Sequence, residues 1–292
     1  MGVDGLRLTV LADDYAGYEV RGLYAQHGLS ILLEIRLGNA VKRILFDCGQ
    51  DGSAIIRNAE LLGLGNVLKS IDMIVLSHSH YDHTGGLLDI LSYVRRPILV
   101  VAHPDIVKPA IYVDPQGVRD VGLPYPLTRV EEMGAKLLLL REASHLGSGT
   151  VFLGEVPRYR KDLVSSIENL YTVENGRLVP HPLNDDTGLA IDVEGYGVVL
   201  VAGCSHSGIV NMVIHTKKVL GKPVKCVVGG LHLVGADRET VQRVIDALRS
   251  EGVEEVYVGH CTGLRAEYML LESYGERFGK IYVGFSRSWG SI

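Results

Sequence analysis

Ser77-His78-Ser79-His80-Tyr81-Asp82-His83-Thr84-Gly85-Gly86 puts three imidazoles and a carboxylate into one short stretch. It follows the apolar run Ile71–Leu76, read as a short buried strand, and precedes Leu87–Tyr93, read as the first turns of a helix. In extended backbone, alternate side chains share a face, so His78 and His80 point the same way. Asp82 and His83 follow where the chain turns. One loop can therefore offer two ligands to one metal ion and two more to a neighbour. A single loop histidine is ordinary surface polarity, but this density beside a buried strand predicts a metal site.

Further histidines follow other apolar runs. His206 lies in Gly-Cys-Ser-His-Ser-Gly and His260 in Val-Gly-His-Cys-Thr-Gly, among small residues that let a metal approach closely. Both are read as metal ligands. His232, after Val224–Val228, is open between metal ligand and substrate contact. His103 is read as structural. His27, His145, His181 and His215 are read as surface or loop residues, with His145 and His181 kept as contacts for a lid.

These loops need a scaffold that brings distant strand ends together. Leu6–Leu11 is read as an edge strand, and Leu29–Arg36 with Lys42–Asp47 as a hairpin turned by Gly38-Asn39. A helix over Gly52–Leu62 and a strand over Pro97–Ala102 follow. A similar plan returns from Gly188: a hairpin (Gly188–Val193, Gly197–Ala202), a helix over Ile209–Leu220 and a strand over Val224–Val228. A helix over Arg238–Ser250, with Val241, Val244, Ile245 and Leu248 on one face, a strand Glu255–Val258, a helix Leu264–Tyr274 and a strand Lys280–Gly284 complete it. Two such halves predict two sheets face to face, helices outside, with polar loops meeting along one edge. The chain reads as a single domain over 1–292. Its proline-broken stretch 104–186 is read as an elaboration that caps the site.

Composition narrows the rest. The chain has 292 residues, 47% of them hydrophobic, and a net charge of −5. That supports a full core and argues against nucleic-acid binding. No apolar run approaches the ~20 residues that span a bilayer, so no membrane partner is expected. Met1–Thr9 carries Asp4 and Arg7 and no apolar core, so no secretory leader is expected. The four cysteines form no CxxC, which suits a reduced, cytoplasmic protein. Scarce glutamine and plentiful arginine hint at a thermophile. A homo-oligomer is compatible with the sequence but not specified by it.

His78-x-His80-x-Asp82-His83 resembles the signature of the metallo-β-lactamase superfamily. The resemblance implies an α/β (α+β type) four-layer αββα sandwich. It also implies two divalent ions, zinc foremost with manganese, iron or magnesium as alternatives, with His78 and His80 on one ion and Asp82 and His83 on the second. The bridging aspartate of many members follows a glycine; here that pair is Gly203-Cys204. Their histidine before the second hairpin is replaced by Asn184-Asp185-Asp186-Thr187. His206 is read as replacing one ligand, and Cys204 or Asp186 as approaching the metals. The strings Gly28-Leu29-Ser30, Leu45–Gly49, Asn58-Ala59, Gly154–Arg158, Gly203–Asn211, Gly229–Leu233 and Gly259–Gly263 are together similar to one branch. It is the 7,8-dihydropterin-6-methyl-4-(β-D-ribofuranosyl)aminobenzene 5′-phosphate synthase-like branch, related to methanopterin synthesis.

The branch implies a phosphate- or diphosphate-bearing small molecule, such as a dihydropterin-methyl diphosphate whose diphosphate an arylamine displaces. Arg158, Arg160 and Lys161 are then candidates to hold a phosphate. The superfamily also allows a hydrolase of a phosphodiester, lactone or thioester that uses a metal-bound hydroxide. In that reading Asp82 is catalytic as ligand and orienter, and His232 or Ser205 steadies developing charge. A metal-binding protein without turnover is a further alternative.

Overall fold

The computed structural model describes residues 2–165 and 167–292. Two seven-stranded sheets carry the architecture. In the first, the spatial order is Ser286–Gly290, Gly5–Ala12, Ser30–Leu37, Ala40–Phe46, Met73–Val75, Ile98–Ala102, Ala135–Leu139. In the second it is Phe278–Lys280, Glu255–Val258, Val224–Gly229, Gly197–Ala202, Gly188–Val193, Thr150–Phe152, Ser144–Gly147. Each sheet runs from antiparallel hairpin pairing into parallel pairing. Each parallel step requires a crossover, and most of these crossovers are helices.

The layer order follows from side-chain alternation. Leu189, Ile191 and Val193 face the first sheet, whereas Ala190 faces helices; Val199 and Val201 alternate likewise with Val198 and Leu200. The apolar residues therefore form three slabs. One lies between the sheets, with Ile31, Leu33, Ile35 and Phe46 meeting the second-sheet residues. One lies beneath helices Gly52–Leu61 and Leu87–Val94. One lies beneath helices Ile209–Leu220, Arg238–Ser250 and Leu264–Tyr274. Three slabs separate four layers, which is the αββα sandwich.

Helix limits have local causes. Asp51 accepts from Ser53 N at the start of Gly52–Leu61, and Asp237 from Thr240 N at the start of Arg238–Ser250. Ile209–Leu220 stops at Gly221, which takes the left-handed conformation at φ 64°. Among the described residues, no helix is long and apolar enough to cross a membrane.

Three expectations need correction. Leu6–Leu11 is not an edge: Gly5–Ala12 is flanked by Ser30–Leu37 and by Ser286–Gly290. The final strand is not Lys280–Gly284. Phe278–Lys280 closes the second sheet, the chain turns at Gly284 (φ 96°), and Ser286–Gly290 crosses to the first. The stretch 104–186 is not all elaboration, since Ala135–Leu139, Ser144–Gly147 and Thr150–Phe152 belong to the two main sheets. Its other strands, Ile111–Asp114, Gly117–Asp120, Leu170–Glu174 and Arg177–Pro180, form a separate four-stranded sheet.

The slab between the sheets makes a direct prediction. Phe46 is fully buried there. Phe46→Ala is expected to lower unfolding stability by about 3–5 kcal/mol in a urea titration.

Candidate metal centre

Strand ends from both sheets deliver the chemically active residues to one edge. Ser77 to Gly86 follows Met73–Val75, Gly203 to Gly208 follows Gly197–Ala202, and His260 follows Glu255–Val258. Backbone bonds lock these loops together: Thr187 N donates to Ser77 O at 3.0 Å, Gly230 N to Gly203 O at 2.9 Å, and Cys48 N to His83 O at 2.8 Å. The contact at Gly203 is so close that a Cβ there would overlap Ser77 Oγ.

Four overlapping donor groups result: Cys204, His206 and His232 form one, Asp14, His27 and His260 another, and the remaining two share no residue. His78, His80 and His206 form one, and Asp82, His83, Cys204 and His260 form the other. In the first, His78 Nε2 lies 3.1 Å from His80 Nδ1, and the His206 ring packs edge-on to both. In the second, His83 Nε2 lies 3.2 Å from both His260 Nε2 and Cys204 Sγ. His260 Nε2 is 3.4 Å from that sulfur, and Asp82 Oδ2 is 3.5 and 3.3 Å from the His83 and His260 nitrogens. Donors around a tetrahedral zinc-sized ion stand about 3.3–3.7 Å apart, so these separations lie at or slightly inside the edges of a coordination shell. Among the described residues, His80 Nε2 and His206 Nε2 are buried with no hydrogen-bond partner, an expensive condition unless something else satisfies them.

Electrostatics divides the site in the same way. Burial, and then the neighbouring imidazoles, hold His78 and His206 well below the usual histidine range. Burial brings His80 down to about 3. These rings are neutral, the form that ligates. For His83, burial opposes charge, but Asp82 and Asp47 overcome it and raise the ring to about 9. His260 is likewise raised against burial, by Cys261, Asp14 and Asp82. Burial also opposes charge on Asp82, yet His83 and His260 keep it ionised. The carboxylates of Asp82, Asp47 and Asp14 thus favour positive charge at this cluster, which a divalent cation could supply.

A second tier of acceptors fixes the rings. Asp47 Oδ2 takes His83 Nδ1 at 2.7 Å and Ser77 Oγ at 2.7 Å, while Asp47 Oδ1 takes Ser77 N at 2.7 Å. Ser77 Oγ also lies 2.9 Å from His78 Nδ1. Asp14 Oδ2 holds His260 Nδ1 at 2.7 Å, and Asp13 Oδ2 accepts from His260 N at 3.0 Å. Such partners orient ligating rings and raise their basicity. Asp47, Ser205, His232 and His260 all have φ between 47° and 61°, a region costly for residues with a Cβ and concentrated at functional sites.

Over the clusters lies a cavity of about 350 Å³. Asp14, His27, Asp82, Cys204, His206 and His260 are among its polar lining, and Tyr81, Tyr112, Val121, Ile167, Leu170 and Val234 form its apolar side. Tyr112 and Leu170 come from the four-stranded sheet.

All six residues expected as ligands, His78, His80, Asp82, His83, His206 and His260, converge here. Cys204 converges with them. His232 lines the cavity, meets His206 edge-on with ring centroids 4.4 Å apart, and keeps a buried Nδ1 with no partner among the described residues. Four expected contacts are not brought in. Ser205 Oγ donates to Gly230 O at 2.7 Å, because its left-handed backbone turns the hydroxyl toward the next strand end. Asp186 Oδ2 is committed to Ser207 N at 2.7 Å and Ser207 Oγ at 2.6 Å. Arg158 ties the carbonyls of Val156, Pro182 and Leu183, and Arg160 pairs with Asp162; neither lines the cavity.

Other histidines divide. His27 is the exposed loop residue expected, yet it also bonds Asp14 at 2.9 Å, approaches Asp82 at 3.5 Å and lines the cavity. Its only sequence signal was its position in the polar loop after the first strand, the loop that also carries Asp13-Asp14. His103 Nδ1 accepts from Asp105 N, His181 Nδ1 from Leu183 N, and His145 lies exposed on an outer strand.

Comparison with known proteins agrees with this geometry. A family model described as a beta-lactamase superfamily domain matches residues 42–115. A 7,8-dihydropterin-6-methyl-4-(beta-D-ribofuranosyl)-aminobenzene-5'-phosphate synthase of Methanocaldococcus jannaschii is 40% identical, covering 97% of this chain and 96% of that protein. An uncharacterized protein of the same organism is 33% identical over 89% of this chain and 91% of its own. The crystal structure of a metal-dependent hydrolase of the beta-lactamase superfamily superposes with a TM-score of 0.82 at 25% identity, covering 98% of this chain and 100% of that one. Donor clusters, sandwich and similarity over nearly the whole length thus agree: the chain belongs to the metallo-β-lactamase superfamily, in the branch of that synthase.

Proposed function

We propose that this protein is a metal-dependent transferase acting on a phosphate- or diphosphate-bearing small molecule, a dihydropterin-methyl diphosphate being the best candidate. The observation that carries the reading is two contiguous donor clusters beneath a cavity with an aromatic and apolar side. His78, His80 and His206 would hold one divalent ion, and Asp82, His83 and His260 a second, zinc or ferrous iron suiting the imidazoles best. Bound there, the ions would supply Lewis acidity toward phosphate oxygens.

The chain's own residues would do the rest. Tyr81, Tyr112 and Leu170 would shield one face of a flat heterocycle from water. His27, held by Asp14 at the cavity rim, would donate to an anionic group. His232 would offer its unpartnered Nδ1 to the leaving or attacking group. Asp47 and Asp14 would keep the His83 and His260 rings in register throughout. In this reading the four-stranded sheet serves as the cap and sets specificity. The 40% identity to the synthase supports transfer to an arylamine. The second reading, a hydrolase, is favoured by the similarity to a metal-dependent hydrolase over 98% of the chain.

Diphosphate release from a dihydropterin-methyl diphosphate, measured with and without an aminobenzene riboside phosphate, separates the two. Release that depends on the arylamine is expected. Turnover of bis-(p-nitrophenyl) phosphate or lactones, with no arylamine dependence, would establish the hydrolase instead. Inactivity of the metal-loaded protein toward every substrate would leave a binding protein.

The ligand assignment is tested by metal content. His80→Ala should strip the ion from the three-histidine cluster with circular dichroism unchanged; undiminished metal would remove His80 from the shell. Asp47→Asn exchanges an acceptor for a donor behind His83 and Ser77, and should weaken metal affinity about 10–100-fold in a chelator competition.

A further inference from the structure

We propose that the Cys204 thiolate is a ligand shared by both metal ions, and that this sulfur makes the centre select thiophilic ions over manganese or magnesium. The inference rests on the two-ion reading above and assigns its bridging group. Cys204 Sγ belongs to the Asp82–His83–His260 cluster and also groups with His206 and His232. It is 3.2 Å from His83 Nε2 and 3.4 Å from His260 Nε2. His206 belongs in turn to the three-histidine cluster. Among the described residues, no carboxylate joins the two groups in this way: Asp82 appears only in the second, and Asp186 in neither.

The other cysteines do not compete for this place. Cys48 and Cys226 are packed in the apolar slabs. Cys261 Sγ accepts from His232 N at 3.3 Å and points back toward the Cys204 carbonyl. Cys204 is held by its neighbours: Gly203 abuts Ser77 and Asp47, and Gly230 lies against the Cys204 Cα. Both glycine positions lack room for a side chain, so the sulfur's place is set by backbone packing.

The chemical consequence follows from ligand softness. A carboxylate between two ions suits hard and borderline cations alike. A thiolate favours zinc, ferrous iron or cobalt and disfavours manganese and magnesium. On metal binding Cys204 releases its proton to solvent, since only the thiolate ligates.

Cobalt substitution of the full-length protein tests this directly. The chelator-stripped protein is titrated with Co²⁺ while its near-ultraviolet thiolate-to-cobalt charge-transfer band and its visible d–d bands are recorded. The expected result is a charge-transfer band that grows through both the first and the second equivalent. The band should vanish in Cys204→Ser and Cys204→Asp, with d–d bands retained, and persist in Cys261→Ser. In zinc–manganese competition, Cys204→Asp should shift the binding ratio toward manganese by at least about tenfold.

A band complete after one equivalent would make Cys204 a terminal ligand and overturn the sharing. Bound cobalt without the band, or a band abolished by Cys261→Ser alone, would overturn the assignment of the sulfur. Failure of the wild-type protein to bind any cobalt would instead sink the two-ion reading itself, and this inference with it.

Discussion

The centre depends on one buried carboxylate. Asp47 lies at the end of the first hairpin with no solvent exposure, yet it accepts from Ser77 N, Ser77 Oγ and His83 Nδ1. A carboxyl group buried in such a place is tolerable only when its hydrogen-bonding capacity is filled. Filling it fixes the start of the histidine loop, the ring of His83 and, through Ser77, the ring of His78. A Cβ on Gly203 would come within 3.2 Å of Asp47 Oδ2. The same group therefore marks where the second sheet must stop. The loops of the two halves are positioned against each other by this contact, and Cys204 follows Gly203 directly.

The cost of assembling the site is spread over the strand ends. Asp47, Ser205, His232 and His260 hold left-handed backbone, and conformations of that kind cost of order 1–3 kcal/mol each. Imidazole nitrogens of His80 and His206 lie buried and, among the described residues, unpartnered. Three continuous apolar slabs offset these terms. The strain sits at one edge, and the stabilising burial occupies the interior of the sandwich. That separation lets the loops carry unfavourable geometry without loosening the sheets beneath them.

Much of this was legible from residue order alone. The bounds of Ile209–Leu220, Arg238–Ser250 and Leu264–Tyr274 were readable because apolar spacing and glycine stops coincide there. The histidine loop was readable because its ligands are neighbours in sequence. Asp14 and His27 were not, since their role arises from a contact with His260 across nearly the whole chain. Arg158 was misread because charge alone cannot tell a phosphate ligand from a donor to carbonyls. Ser205 was misread because the direction of its hydroxyl is set by a backbone angle that composition does not encode. The closing strand was missed because Ser286–Gly290 alternates poorly, and only Trp289 of its residues is buried.

The pairing of Gly5 with Gly290 places a constraint on biosynthesis. The first sheet gains its outermost strand only after the second half of the chain has left the ribosome. Until then the Gly5–Ala12 backbone presents an open row of hydrogen-bonding groups, a surface prone to mispairing. Loop closure over so long a separation is slow. Any folding of the first half before release would therefore leave that flank unprotected. A chaperone or an early-folding second half would shorten that interval.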